Sequence, residues 1–234
     1  MKKSIVGMVL VGILLVVSAR FVNQPWPNLT LNVPELPQIR IDVEPDVVVE
    51  AEKFEAIRII QRPTQAQGTG FFLKIEGKIY LVSANHVLQN NGCLYQFQTK
   101  HRVSIRLEIG EIQEVKDYDI SYVEVIKMPS NFKIFSVSRT LAFRSDNVKS
   151  FGIAAGKNYH MHEGEIIKFE NDKRVYLTDM FLIPGMSGGP LLLNGKVIGV
   201  NSMTTPYGIS MHVDVCTMIE HIKNKNLDSP RPVG

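Results

Sequence analysis

Cysteine is nearly absent from this 234-residue chain: there are two, Cys93 and Cys216. That excludes a scaffold held by several disulfides. An oxidising compartment would permit one bridge between them, but the reading adopted here is two small apolar residues. Concentrated charge is missing too. The formal net charge is +3 and no basic run exceeds two residues, which excludes the electrostatic footprint of a nucleic-acid binder. Metal-ligand clusters are lacking. His160-Met161-His162 is the nearest approach, and no third ligand accompanies it. No metal and no organic cofactor are expected. Sequence repeats are absent, and no second, ligand-type domain is expected after the terminal helical segment. What remains is ordinary for a chain with a packed core: 44% hydrophobic and 21% charged residues.

The one long uncharged run is at the start. Met1-Lys2-Lys3 is followed by Ser4 to Ala19, which carries no charge and is dominated by Ile, Val, Leu and Met. Such a run partitions into a bilayer, and the lysines stay on the cytoplasmic side. Residues 1–22 therefore read as a signal anchor or signal peptide, an N-terminal transmembrane or signal helix. The rest of the chain is expected on the exported side, periplasmic or extracellular. It is membrane-anchored if the segment is kept, and secreted if it is cut after Ala19. Residues 23–50 hold Pro25, Pro27, Pro34, Pro37 and Pro45 and read as an extended proline-rich linker.

From about residue 51 the pattern changes to short β-rich runs. Strands are expected at Ala56 to Ile60, Gly70 to Ile75, Lys78 to Ser83, Val103 to Leu107 and Ser121 to Ile126. After a polar stretch the style resumes at Val148 to Ala154, Gly164 to Phe169, Arg174 to Leu177, Pro190 to Leu193, Lys196 to Asn201 and Ile209 to Val213. Glu76-Gly77 and Asn194-Gly195 fit two-residue hairpin turns. Only Asp214 to Asn224 has helical spacing, with Met218, Ile219 and Ile222 on one face. Many short strands separated by turn signals imply an all-β sandwich or barrels.

Chemistry concentrates at Gly185-Met186-Ser187-Gly188-Gly189-Pro190. A nucleophilic serine needs two backbone N–H groups aimed at a developing oxyanion, and glycines free the backbone to provide them. The amides of Gly185 and Ser187 are the natural donors. A serine hydroxyl also needs a base. His86 follows a strand end, after Tyr80-Leu81-Val82-Ser83-Ala84-Asn85, and is held there while still facing a cleft. His101, His160, His162 and His221 read as surface residues, and His212 is a candidate to line the cleft. The base needs an acid to fix its tautomer. Asp119, opening the strand that runs to Ile126, is the best placed. Asp117 reads as a solvated turn residue, and Asp146 and Asp179 are weaker candidates.

The order His86, Asp119, Ser187 resembles that of trypsin-like (chymotrypsin-fold) serine proteases. Bacterial Deg-type envelope proteases are closest in style. The matching segments are Gly68-Thr69-Gly70-Phe71-Phe72, Ser83-Ala84-Asn85-His86-Val87-Leu88, Asp117-Tyr118-Asp119-Ile120-Ser121, Gly185 to Pro190 and Gly199-Val200-Asn201. They span roughly residues 52 to 224. The resemblance implies two six-stranded antiparallel β-barrels with the active site between them and a C-terminal α-helix. The protease domain would occupy residues 51–230, barrel one about 51–133 and barrel two about 140–224. It also implies that Phe181 floors the primary specificity pocket and that Val200, Asn201 and Ser202 form a substrate-binding edge. Val87 rather than a cysteine stands directly after His86, a departure from digestive members, and the peptide-binding domain usual in Deg-type members is not expected here.

The expected function is a serine endopeptidase acting through a Ser-His-Asp triad on exported or envelope proteins, after small or apolar residues. Its partners would be protein or peptide substrates, and the membrane through the N-terminal segment. The alternative is a protease-like module that binds peptides without cutting them.

Overall fold

The computed structural model of the chain describes residues 53–154 and 159–228. Its first half contains β1 Ile57–Arg62, β2 Gln67–Ile75, β3 Lys78–Ser83, β4 Leu94–Gln98, β5 Ser104–Ile105, β6 Glu108–Ile109, β7 Gln113–Glu114, β8 Ser121–Lys127 and β9 Ile134–Ser136. Its second half contains β10 Asn147–Ile153, β11 Tyr159–Glu170, β12 Val175–Thr178, β13 Pro190–Leu193, β14 Lys196–Thr204 and β15 Ser210–Asp214. The helix α1 Cys216–Asp228 ends the described chain.

The central strand of the first half buries both of its faces. Phe71, Phe72 and Leu73 of β2 are all fully buried, so this strand is a continuous apolar run without alternation. Phe71 and Leu73 enter a cluster shared with the second half, which includes Phe135, Phe151, Val213 and Met218. Phe72 points to the opposite side, with Leu81, Val123 and Phe132. Each such side chain contributes about 1.5–3 kcal/mol by leaving water. Both expected hairpin turns form. Glu76 and Gly77 have φ of 48° and 85°, and Asn194 and Gly195 have 50° and 75°, the paired positive angles of a type I′ turn.

The second half closes into a six-stranded barrel in the order β10-β11-β12-β15-β14-β13. The first half does not close. It is an open nine-stranded sheet with the path β5-β4-β1-β2-β3-β8-β6, to which β7 adds on β8 and β9 on β2. The expectation of two six-stranded barrels is therefore corrected to one barrel and one open sheet. The physical reason lies at the edges. The expected strand at Val103 to Leu107 shrinks to Ser104–Ile105, and β6 has the same two-residue length. Their ladders run to β4 and β8. Segments this short, broken by Arg106 and Glu111, present too little edge to pair with each other.

The expected N-terminal transmembrane or signal helix, residues 1–22, falls outside the described residues. None of the described helices is long and apolar enough to cross a membrane, and residues 1–52, the proline-rich linker included, lie outside the described residues.

The halves meet along the shared cluster. A bridge pairs Val137 with Val197, and the Ser138 N–H donates to Val197 O at 2.8 Å. The helix covers one end of this seam. Its Met218 and Ile222 are buried, and the Asp214 carboxylate accepts the Cys216 N–H at 3.0 Å while pairing with Arg174 at 3.1 Å.

The barrel interior contains an unusual polar strip. Ser150, Thr178, Asn201 and His212 all have 0% exposure. Burial pushes the His212 imidazole down to about 3, so it is neutral at neutral pH. Its Nδ1 lies 2.9 Å from Asn201 Oδ1 and its Nε2 2.9 Å from Thr178 Oγ1. The expectation that His212 lines a cleft is thus replaced by a place in the barrel core.

Candidate active site

His86 stands on a one-turn bend just after β3. The Val87 and Leu88 N–H groups both donate to Ala84 O at 3.0 Å, and the buried Ala84 and Leu88 side chains pin the bend to the core. The imidazole itself stays half exposed. Asp119 is set by a tight loop: Val115 N–H donates to Ile120 O at 3.1 Å, Tyr118 N–H donates to Val115 O at 3.1 Å, and Asp117 sits at a φ of 68°. Ile120, fully buried, anchors the start of the next strand.

The two side chains come together. His86 Nδ1 lies 2.9 Å from Asp119 Oδ2 and 3.0 Å from Oδ1, and the His86 main-chain N–H donates to Oδ1 at 3.0 Å. The Ser202 hydroxyl donates to Oδ2 at 2.6 Å. Burial opposes ionisation of Asp119, but the hydrogen bonds from His86 and Ser202 outweigh it and hold the carboxyl below its usual range. The same hydrogen bond raises the His86 pKa, against partial burial. An ionised carboxylate only accepts, so neutral His86 carries its proton on Nδ1 and leaves Nε2 free to accept.

Ser187 lies in the loop between β12 and β13, which is fixed from both halves. Gly185 and Gly188 have φ of 96° and 86°, a region L-residues rarely adopt. A Cβ on Gly188 would stand 2.2 Å from both Ser83 Oγ and Thr69 O. Thr69, wholly buried on β2, is the link across the seam. Its hydroxyl donates to Gly185 O at 2.7 Å and accepts the Ile153 N–H at 2.7 Å. Its own N–H donates to Ser187 O at 2.8 Å. On the barrel side, Gly188 N–H donates to Asn201 O at 2.7 Å and Asn201 N–H to Gly189 O at 2.8 Å.

Within this bonded loop, the N–H groups of Gly185 and Ser187 have no partner among the described residues. Two amides left open beside a serine can receive an anion. The Ser187 hydroxyl donates to Ser202 O at 3.0 Å and is not bonded to His86 among the described residues. Ser202 therefore touches both sides of the site: its hydroxyl holds Asp119 and its carbonyl holds Ser187.

A cleft of about 430 Å³ opens beside Ser187, lined by Phe181, Leu182, Ile183, Pro184, Met203, Thr204, Thr205 and Pro206. Phe181 is 57% exposed and lines this cleft at its surface. Along the expected substrate edge all three side chains are buried: Val200 packs in the cluster shared with the first half, Asn201 turns into the barrel and the Ser202 hydroxyl holds Asp119. The next residue on that strand, Met203, is exposed. A second cleft of about 510 Å³ lies beside His86, with Gln89, Lys116 and Tyr118 on its walls.

The remaining candidates lie elsewhere. His221 pairs with the Tyr122 hydroxyl at 3.1 Å, and His101 lies against the Phe54 ring. Asp146 accepts the Phe143 N–H, and Asp179 the Glu165 N–H. Among the described residues, no group of three or more His, Cys, Asp or Glu could hold a metal ion. Cys93 and Cys216 are both free and half buried, and burial pushes the Cys216 thiol up to about 11. Thr69, Met203 and Thr204 were missed by sequence reasoning. The glycines around Thr69 were a usable signal, since a Cβ on Gly68 or Gly70 would meet Val87 or Leu81 at less than 3 Å.

The model of the family described as "Trypsin-like peptidase domain" matches residues 68–200. Among curated proteins, the chain is 27% identical over 186 residues to serine protease HTRA1B of Danio rerio, covering 71% of this chain and 36% of that protein. It is 26% identical over 160 residues to mitochondrial serine protease HTRA2 of Drosophila virilis, covering 65% and 38% respectively. The chain thus spans well under half the length of these relatives. Among solved structures, the serine endoprotease from Yersinia pestis superposes with a TM-score of 0.60 at 16% identity, over 77% of this chain and 65% of that one. The inactive form of the Rv3671c protease superposes at 0.58 and 19% identity, over 76% and 92%. At such identities the structural likeness speaks to the fold.

Proposed function

The chain belongs to the trypsin-like peptidase family, and from that premise we propose that it is a serine endopeptidase. Its domain would occupy residues 51–230, with Ser187 as nucleophile, His86 as general base and Asp119 as the orienting acid. The observation that carries this reading is the single bonded chain from His86 through Asp119 and Ser202 to Ser187. It ends at a loop with two open amides.

Ser187 Oγ attacks the substrate carbonyl carbon while His86 Nε2 takes the hydroxyl proton. The resting hydroxyl must first turn from Ser202 O towards His86. The Gly185 and Ser187 N–H groups receive the oxyanion. Asp119 stabilises the imidazolium, which then protonates the leaving amine. Water, activated by the same imidazole, hydrolyses the acyl-enzyme. The resting serine geometry is the one observation that favours the alternative, a module that binds peptides without cutting. Turnover of fluorescently labelled casein separates the two: multiple turnovers carry the peptidase, and stable binding without cleavage carries the module.

The pH profile follows from His86. A general base must be unprotonated, and the Asp119 hydrogen bond raises the His86 pKa above its ordinary value, which is about 6.5. As pH falls through the raised value the base is lost. The acidic limb of kcat/KM is therefore expected to have its midpoint above about 6.5. A limb centred well below that value contradicts the assignment of His86.

Every residue lining the cleft beside Ser187 is uncharged. The side chain before the scissile bond is accordingly small or apolar, since a buried Lys or Arg would find no carboxylate. A peptide-library profile led by Arg or Lys at that position overturns this. Substrates on the exported side are what the charged-then-apolar start of the sequence supports.

A further inference from the structure

The Ser187 N–H belongs to a planar peptide unit whose carbonyl is that of Met186. In a trans peptide the C=O and N–H point in opposite directions, so whatever holds the carbonyl aims the N–H. Met186 O accepts two hydrogen bonds, from Asn201 Nδ2 at 3.1 Å and from the Gly189 N–H at 3.0 Å. The side-chain donor comes from inside the barrel. Asn201 Oδ1 accepts the Ser150 hydroxyl at 2.8 Å and the His212 Nδ1–H at 2.9 Å. Two donors on one side of the carboxamide fix which end is oxygen, and turn Nδ2 towards Met186. Neutral His212 is held in turn by the Thr178 hydroxyl on Nε2 at 2.9 Å.

Four fully buried polar side chains in a barrel core call for an explanation. An apolar strip of similar volume can be as stable, because each buried polar group must recover its lost hydration. This strip is fully bonded and has one outlet to the functional loop, the Met186 carbonyl.

Resting on the reading of Ser187 as nucleophile and of its own amide as an oxyanion donor, we infer that Asn201 is a positioning residue: it clamps Met186 O and so aims the Ser187 N–H at the oxyanion. Ser150, His212 and Thr178 hold the Asn201 carboxamide from behind. This is a role of the Asn201 side chain, distinct from the main-chain substrate pairing expected along Val200 to Ser202.

The test uses Asn201→Leu, which is close in size and removes the clamp. With a fluorogenic peptide carrying leucine before the scissile bond, kcat is expected to fall about 10- to 100-fold while KM stays within about twofold. The upper bound is set by the loss of a whole oxyanion donor. A leucine-ended peptide aldehyde is expected to lose affinity by the same factor, and the matching peptide alcohol to lose none. The aldehyde adduct carries an oxyanion and the alcohol does not. Asn201→Asp keeps the shape but sets an acceptor against Met186 O, and is expected to show the same split at neutral pH. His212→Leu acts one bond further back and is expected to show a smaller one. Where Asn201→Leu does not fold, these two variants are read in the same way. A folded variant with wild-type kcat and aldehyde preference, or with equal losses for aldehyde and alcohol, overturns the inference alone. A wild type that neither cleaves nor prefers the aldehyde overturns the proposed function, and the inference with it.

Discussion

Replacing Ser187 by alanine is expected to leave the fold intact and lower kcat for casein by about a million-fold, as removal of a triad nucleophile does elsewhere. The fold should survive for a local reason. The Ser187 hydroxyl makes one hydrogen bond, to Ser202 O. The loop is held instead by main-chain bonds and by Thr69 and Asn201. Circular dichroism and thermal melting of the variant should match wild type. Residual hydrolysis would come from the open amides and from substrate binding alone. A variant that keeps even a hundredth of the wild-type kcat would remove Ser187 from the mechanism.

Asp119→Asn is expected to lower kcat about ten-thousand-fold, with little change in KM. The carboxylate accepts from His86 Nδ1, the His86 N–H and the Ser202 hydroxyl. A carboxamide of the same shape can turn its NH₂ towards Nδ1. His86 then places its proton on Nε2, and the nitrogen that should accept from Ser187 becomes a donor. The acidic limb should also move to lower pH, because the hydrogen bond that raises the His86 pKa is lost. Steady-state kinetics across pH test both consequences. A loss of less than about tenfold, with an unmoved limb, would mean that Asp119 does not orient His86.

The sequence was most informative where local chemistry is decisive. Lys78–Ser83 and Pro190–Leu193 run as expected, because alternation or continuous burial ends in type I′ turns whose glycines have few other uses. His86 and Asp119 were readable because each adjoins a strand end with a buried residue beside it. What failed was non-local. β4, β6, β7 and β9 escaped notice. Segments of two to five residues have no periodicity of their own and exist only through partners far along the chain. Closure of a sheet is likewise a property of two edges that meet or do not.

Along β14 the expectation was a main-chain edge over Val200 to Ser202 for an added substrate strand. The Asn201 N–H and C=O are bonded to Gly189 and Gly188, and the side chains, which alternate between faces along a strand, have separate tasks. Asn201 turns into the barrel, and the Ser202 hydroxyl turns to Asp119. Met203 is left exposed in the cleft. His212 escaped for a related reason. A lone histidine on a strand looks the same in sequence whether it faces solvent or a polar strip, and only Asn201 and Thr178 beside it identify the strip.

The central claim is that Ser187 is a nucleophile activated by His86 and served by two open amides. Reaction of the folded wild-type chain with a fluorophosphonate, followed by mass-spectrometric mapping, tests it most directly. The account predicts one covalent adduct, on the peptide containing Ser187, and none in Ser187→Ala. A folded wild-type chain that takes up no adduct, or takes it up on another serine, would contradict it.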